Sequence, residues 1–400
     1  MTLPLEQIQA AAAQLHAATV EFARHLVSTP SMPGQERDIA AVVKKEMQEL
    51  GYDHVWVDNA GNVIGKIEGG GGPAIMLNGH IDHVDPGPPD GWPYPPFAAE
   101  IVEGELWGRG SVDMKGPLAC MIYAASLLRQ MGLTPPGDVY VTAVVMEEIG
   151  GLGSKHLTTH LKPQIAICGE PSNNTLRRGH RGRVELIVEF LGRSVHASVP
   201  HLGINPHYAA AAFLQALAGL PLAQEEALGA STVTPTLYHT DQFSPNVIPS
   251  LVQLTLDWRN VPSETPNDIV AKTNALLAEV LAGSVQARAA VSKKEFTTYT
   301  GITEDFPSIF PSFLMPLDHP LVQTAHNTLA DALGRDDGVS VWRFATDGGH
   351  LMEAGIPTLG FGPGNDQLAH TNQECIPLAQ MKEALVGYTS LLLALPAAVA

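Results

Sequence analysis

Between residues 55 and 168, short runs of apolar β-formers alternate with stretches of helical period. Strands alternating with helices pair in parallel, and a parallel sheet needs helices over both faces, so this pattern confines the chain to an α/β architecture. Strands are expected at 55–57, 63–67, 74–78, 139–146 and 164–168, and helices at 116–131 and 154–160. Upstream, residues 5–50 carry apolar residues at helical spacing, broken only at 29–34, where two prolines and a glycine end a helix. Residues 59–61 and the four glycines 69–72 signal turns, and the glycine run is expected to form a hairpin tip rather than a phosphate loop.

Beyond Glu170 the pattern changes. Alternating strands at 184–190 and 252–258 and helices at 207–218 and 267–281 suit an α+β unit inserted into the first domain. A helix at 321–333 and a strand at 358–361 then resume the α/β pattern, after a linker at 306–320 that carries four prolines. A chain of 400 residues exceeds the size at which one core usually stops growing, so two domains are expected. The expected division is a first domain of 1–178 and 294–400 with 179–293 inserted.

Composition narrows the function. With 45% hydrophobic and 16% charged residues, wholesale disorder is excluded. A net charge of −18 repels phosphate backbones, so nucleic acid is not an expected partner. No uncharged apolar stretch reaches the roughly 18 residues of a spanning helix. The first basic residue is Arg24, so a secretory n-region is missing as well, and a cytoplasmic protein without a membrane partner is expected. Cys120, Cys168 and Cys375 are in no close pairing, which fits neither a disulfide framework nor a cysteine zinc cluster. Any metal must be held by histidines and carboxylates.

Such residues stand just past predicted strands, where open parallel sheets place their sites. His80 and Asp82, two apart in extended chain, project to one face, so Asp82 could orient the imidazole while its other nitrogen binds a metal. Asp113 opens a predicted helix among glycines, where an aspartate is more often a plain cap than a ligand, so its meaning depends on its company. Glu147 and Glu148 follow an apolar run; they either sit on a wet loop or divide into a ligand and a general base. Glu170 follows a buried strand, and His370 stands in a polar loop. Together these seven residues, all oxygen or imidazole donors, suit Zn²⁺, Co²⁺ or Mn²⁺, with one Asp bridging two ions. Dinucleotide fingerprints fail at His156 and Asn365, and a Gly-x-Ser-x-Gly elbow is absent. The arginines 177, 178, 181 and 183 are expected to form a charged hinge rather than an anion site.

The motifs Gly-His-Ile-Asp-His-Val-Asp-Pro, Gly-Arg-Gly-Ser-Val-Asp-Met-Lys-Gly, Met-Glu-Glu-Ile-Gly-Gly and Gly-Glu-Pro stand in this order along the chain. In that order and spacing the sequence resembles the dinuclear zinc amidohydrolases that include acetylornithine deacetylase, succinyl-diaminopimelate desuccinylase, aminoacylase and glutamate carboxypeptidase. The resemblance implies a zinc-exopeptidase-like catalytic domain with a ferredoxin-like lid that dimerises. It implies two divalent ions, zinc first with cobalt or manganese possible: His80 and Glu170 on one, Glu148 and His370 on the other, Asp113 bridging. Glu147 becomes the base, Asp82 orients His80, and the peptide after Asp113 is cis. His196, within Gly-Arg-Ser-Val-His-Ala-Ser-Val-Pro, matches the lid histidine that stabilises the developing oxyanion, often from the partner subunit. Asn246 and Arg259 fall where relatives bind the substrate carboxylate, a task that suits a guanidinium.

The loop 344–350 matches the relatives' pocket loop only loosely: Asp347 could meet a substrate amine or cap the following helix, and His350 is not typical. The expected activity is hydrolysis of an amide in an N-acyl amino acid or short peptide with a free carboxylate. Deacylation is favoured by analogy over dipeptidase, carboxypeptidase or N-carbamoyl hydrolysis. A metal-containing binding module without turnover is the rival of another class, and the spare base Glu147 speaks against it.

Overall fold

The computed structural model describes residues 4–281 and 285–399. The expected α/β sheet is present. Its central strands, Gly137–Val144, Gly72–His80, Ile165–Cys168 and Thr358–Gly360, are mutually parallel, and His54–Val57, Val63–Ile67, Leu176–His180 and Phe313–Leu314 flank them. Alternate residues face opposite sides: Ile75, Leu77, Val139 and Ile165 enter one apolar core, while Ile64, Met76, Val144 and Ala166 enter another. Both faces are therefore dry, as a parallel sheet requires.

The larger core is built around helix Gly116–Gln130. Its residues are apolar all round and buried from Gly116 to Leu128 because helices Leu5–Val27 and Leu378–Ala394 cover it on the side away from the sheet. Pro117 in its first turn costs no hydrogen bond, since helix-start N–H groups have no intrahelical partner. The break at 29–34 separates helices Leu5–Val27 and Arg37–Glu49, as expected.

The inserted unit forms a second, antiparallel sheet in the order Thr232–Thr240, Leu251–Arg259, Arg183–Leu191, Gln286–Val291. Helices Pro206–Leu217 and Pro266–Leu281 pack on it and share its separate core around Phe190, Phe213 and Trp258. This is the split βαβ arrangement of a ferredoxin-like unit.

Three expectations need correction. The glycines 69–72 are not a hairpin tip: Val63–Ile67 and Gly72–His80 are not neighbours, because Gly137–Val144 lies between them. The run instead crosses the start of that strand, where a Cβ on Gly137 would come 2.0 Å from the Pro73 oxygen and one on Gly69 2.1 Å from Gly137. Only glycine allows two backbones so close. The 306–320 segment is not a plain linker either: Ile309–Phe310 joins the lid sheet beside Arg183–Leu191, and Phe313–Leu314 joins the main sheet. The boundary drawn at 178/179 falls inside Leu176–His180, a strand of the main sheet.

Candidate metal centre and active site

The candidate residues converge at the C-terminal ends of the parallel strands. Gly72–His80 ends on His80, Gly137–Val144 leads to Glu147 and Glu148, Ile165–Cys168 leads to Glu170, and the chain leaving Thr358–Gly360 reaches His370. Asp113 comes from the turn Ser111–Lys115 that opens the buried helix, and the Asp113–Met114 peptide is cis, as the resemblance implied.

Asp113 lies between the two histidines: Oδ1 is 2.9 Å from His80 Nε2 and Oδ2 is 3.1 Å from His370 Nε2. His370 Nε2 is also 2.9 Å from Glu148 Oε2, and His80 Nε2 is 3.7 Å from Glu170 Oε1. Donor atoms of His80, Asp113 and Glu148 all lie within 4.8 Å of one another, and so do those of His80, Glu147 and Glu170. Burial pushes the carboxyls of Glu147, Glu148 and Glu170 above the usual range, and the charge of Asp113 adds to this for Glu148 and Glu170. Burial pushes Asp113 the same way, but hydrogen bonds from His370 and His80 outweigh it and hold that carboxyl well below the ordinary value. Hydrogen bonds to Asp113 and Glu148 raise His370 to about 10. Gathering so many carboxylates in one buried place costs several kcal/mol unless cations neutralise them, and the oxygen and imidazole donors fit divalent metal ions.

Asp82 is beside His80, as expected, and does more than that. His80 Nδ1 donates to the main-chain oxygen of Asp82 at 3.0 Å, and the Asp82 side chain is farther, at 3.4 Å. The carboxylate also accepts from the N–H groups of Glu147 and Glu148, each at 3.1 Å, and so fixes the loop that presents both glutamates.

A cavity of about 540 Å³ opens over this cluster and is lined by Asp113, Glu147, Glu148, Glu170 and His370, with Arg259 and Arg183 on the lid side. Both arginines are braced on one carboxylate: Arg259 Nε donates to Asp257 Oδ1 at 2.6 Å and Arg183 Nε to Oδ2 at 2.8 Å. Arg183, one of the cluster expected to form a charged hinge, thus also lines the cavity. His196 and Asn246 sit together on the lid, with His196 Nε2 3.5 Å from Asn246 Nδ2, but both are exposed and neither lines the cavity.

Two residues escaped the sequence analysis as a pair. Glu374 is fully buried, accepts from the N–H groups of Val112 and Asp113 at 3.0 and 3.1 Å, and is ion-paired with Arg109. It holds the backbone of Asp113 in place. Asp347 is buried, makes no cap hydrogen bond, and accepts from Ser154 Oγ at 2.7 Å; burial raises it to about 7. It stands at the N-cap of helix Gly348–Glu353 without capping it through its side chain. His350 is also buried, with Nε2 3.0 Å from the Gly150 oxygen.

Comparison with known proteins finds relatives along most of the chain. The chain is 29% identical over 379 residues to the uncharacterized protein YgeY of Escherichia coli, covering 93% of each. It is 30% identical over 314 residues to a succinyl-diaminopimelate desuccinylase of Rhizorhabdus wittichii, covering 74% of this chain and 81% of that one. Its fold is similar to the crystal structure of aminopeptidase PepT from Bacillus cereus, with a TM-score of 0.74 at 20% identity, over 94% of this chain and 98% of that one. The profile of peptidase family M20/M25/M40 matches residues 76–394, and the chain is therefore a hydrolase belonging to that family.

Proposed function

We propose that this hydrolase uses two divalent metal ions, zinc first with cobalt or manganese as alternatives, to cleave an amide in an N-acyl amino acid or short peptide bearing a free carboxylate. The observation that carries this is the carboxylate of Asp113 held between His80 and His370, each beside a further glutamate. His80 and Glu170 would hold one ion, Glu148 and His370 the other, and Asp113 both. When bound, the ions would polarise the substrate carbonyl and acidify water. Glu147, buried and raised in pKa, takes a proton from the attacking water and passes it to the leaving amine. Asp82 and Glu374 keep the backbones of Glu147, Glu148 and Asp113 where this requires.

Arg259 and Arg183 supply the clamp for the substrate carboxylate, with Asp257 holding both forks. The inserted unit from Arg183 to Val291 acts as the lid and dimerisation unit on the remaining catalytic domain. The exposed edge strand Thr232–Thr240, with Leu237 and Tyr238 exposed on it and Tyr208 and Phe243 exposed elsewhere on the lid, supports a homodimer through this unit. The partner subunit's His196 and Asn246 then complete the site. No helix among the described residues is long and apolar enough to cross a membrane. Buried, unpaired Cys120, Cys168 and Cys375 fit a reducing compartment such as the cytoplasm.

Deacylation is placed ahead of dipeptidase, carboxypeptidase and carbamoyl hydrolysis, supported by the desuccinylase relative. A panel of N-acetyl, N-succinyl and N-carbamoyl amino acids beside dipeptides, assayed with added Zn²⁺, Co²⁺ or Mn²⁺, tests this. Metal-dependent turnover of an N-acyl amino acid is expected. Turnover of dipeptides alone would overturn the order of preference, and no amide hydrolysis by metal-loaded protein would overturn the proposal.

A further inference from the structure

We propose that Asp58, His156 and His160 form a separate, mononuclear site for a divalent transition metal of the zinc type, outside the catalytic cluster. Asp58 Oδ2 lies 3.6 Å from His156 Nδ1 and 3.5 Å from His160 Nε2, and the three donors fall within 4.8 Å of one another. Two ligands on a tetrahedral ion at the usual zinc bond lengths stand about 3.4 Å apart, so these separations are close to those of ligands already arranged for an ion. They exceed the length of a hydrogen bond. His156 Nδ1 is buried and makes no hydrogen bond, which leaves its lone pair free for a metal.

The carboxylate is also held from behind. Asp58 Oδ1 accepts from the N–H groups of Gly61 and Asn62, both at 3.0 Å, and Oδ2 accepts from Asn62 Nδ2 at 2.8 Å. Support of this kind orients a metal-binding carboxylate and raises affinity. The same Asn62 donates to the Gly153 oxygen at 2.9 Å and accepts from Val145 N–H at 3.0 Å. The turn bearing Asp58 is therefore already fastened to helix Leu152–Leu157, which carries His156 and is followed by His160. His156 and His160 side chains remain 26% and 38% exposed, so an ion can enter from solvent and water can take a fourth position. Bound there, it would clip residues 58–62 to the far side of the loop that presents Glu147 and Glu148, bracing it from outside.

The test is a count of metal that does not depend on turnover. Protein stripped with chelator is titrated with Zn²⁺ alone, and bound ion is measured in wild type, His160→Gln and Asp58→Asn. His160→Gln changes an exposed side chain, and Asp58→Asn keeps an acceptor for the turn, so both variants should fold. Each should bind one equivalent fewer than wild type, or bind one equivalent at least tenfold more weakly. The same difference should persist when both substitutions are compared in an Asp113→Ala background, which separates this site from the catalytic one. Equal stoichiometry and affinity in wild type and both variants would show that the histidines merely flank an acidic turn, and the proposal would fall.

Discussion

At the scale of single residues, Asp113 is the shared point of the cluster. Asp113→Ala should release both ions, measurable as metal per chain; full retention would remove it as the bridge. Arg259 tests the carboxylate clamp. Hydrogen bonds to charged groups contribute about 1.5–3 kcal/mol, so Arg259→Met should lower kcat/KM about ten- to a hundredfold, mostly through KM, on an acid substrate and much less on its amide. Equal losses on both would make Arg259 a brace for Asp257. Two buried histidines set a pH dependence. His83 Nδ1 donates to the Val84 oxygen while Nε2 accepts from Ser31 N–H, and His180 Nδ1 donates to the Arg181 oxygen while Nε2 accepts from Thr346 N–H. Each ring is thus fixed neutral, and burial lowers both to about 4. As pH falls from about 6.5 to 4 the unfolded chain takes up protons that these rings refuse, so stability falls, by at most about 1.4 kcal/mol per pH unit for each ring. Denaturant unfolding of wild type and His180→Asn over that range should give a shallower profile for the variant; parallel profiles would contradict the assignment. Most ligand candidates were legible in sequence because they sit in local motifs at or just past strand ends or, for Asp113, at a helix start. Glu374 was not, because its partner Arg109 is 265 residues away and no local pattern ties them.

At the scale of elements, hydrophobic period located most of the strands and helices, whereas strand order was beyond its reach. A glycine run between two strands looks the same locally whether those strands pair or a third, from some 70 residues later, enters between them. That crossing gives its own prediction. Gly137→Ala forces a Cβ onto the Pro73 oxygen and should destabilise by about 1–3 kcal/mol or more, read from the urea midpoint. Gly219→Ala, whose Cβ would meet nothing nearer than 3.7 Å, is the control and should be near neutral. Similar midpoints for the two variants would mean that the crossing relaxes freely. The 306–320 segment misled for a related reason: its prolines mark loops, yet its short strands pair with partners far away in sequence and tie the lid sheet to the main sheet.

At the scale of the whole molecule, His196 and Asn246 lie outside the cavity of their own chain, while the lid carries an exposed edge strand and exposed aromatic residues. The proposed dimer, in which each lid reaches the other subunit's site, accounts for both. Mixing His196→Ala with Glu147→Gln under conditions where subunits exchange should restore part of the activity, because heterodimers contain one intact site. No recovery despite exchange would place His196 in its own subunit's chemistry or outside catalysis. The proposed chemistry divides labour within the buried cluster, with Glu147 moving protons while its neighbours hold metal. The most direct measurement is metal content and turnover of Glu147→Gln, which keeps the side chain's size and removes its basicity. Wild-type metal content with turnover abolished is expected; loss of either ion would make Glu147 a ligand, and turnover near the wild-type rate would remove it as the base.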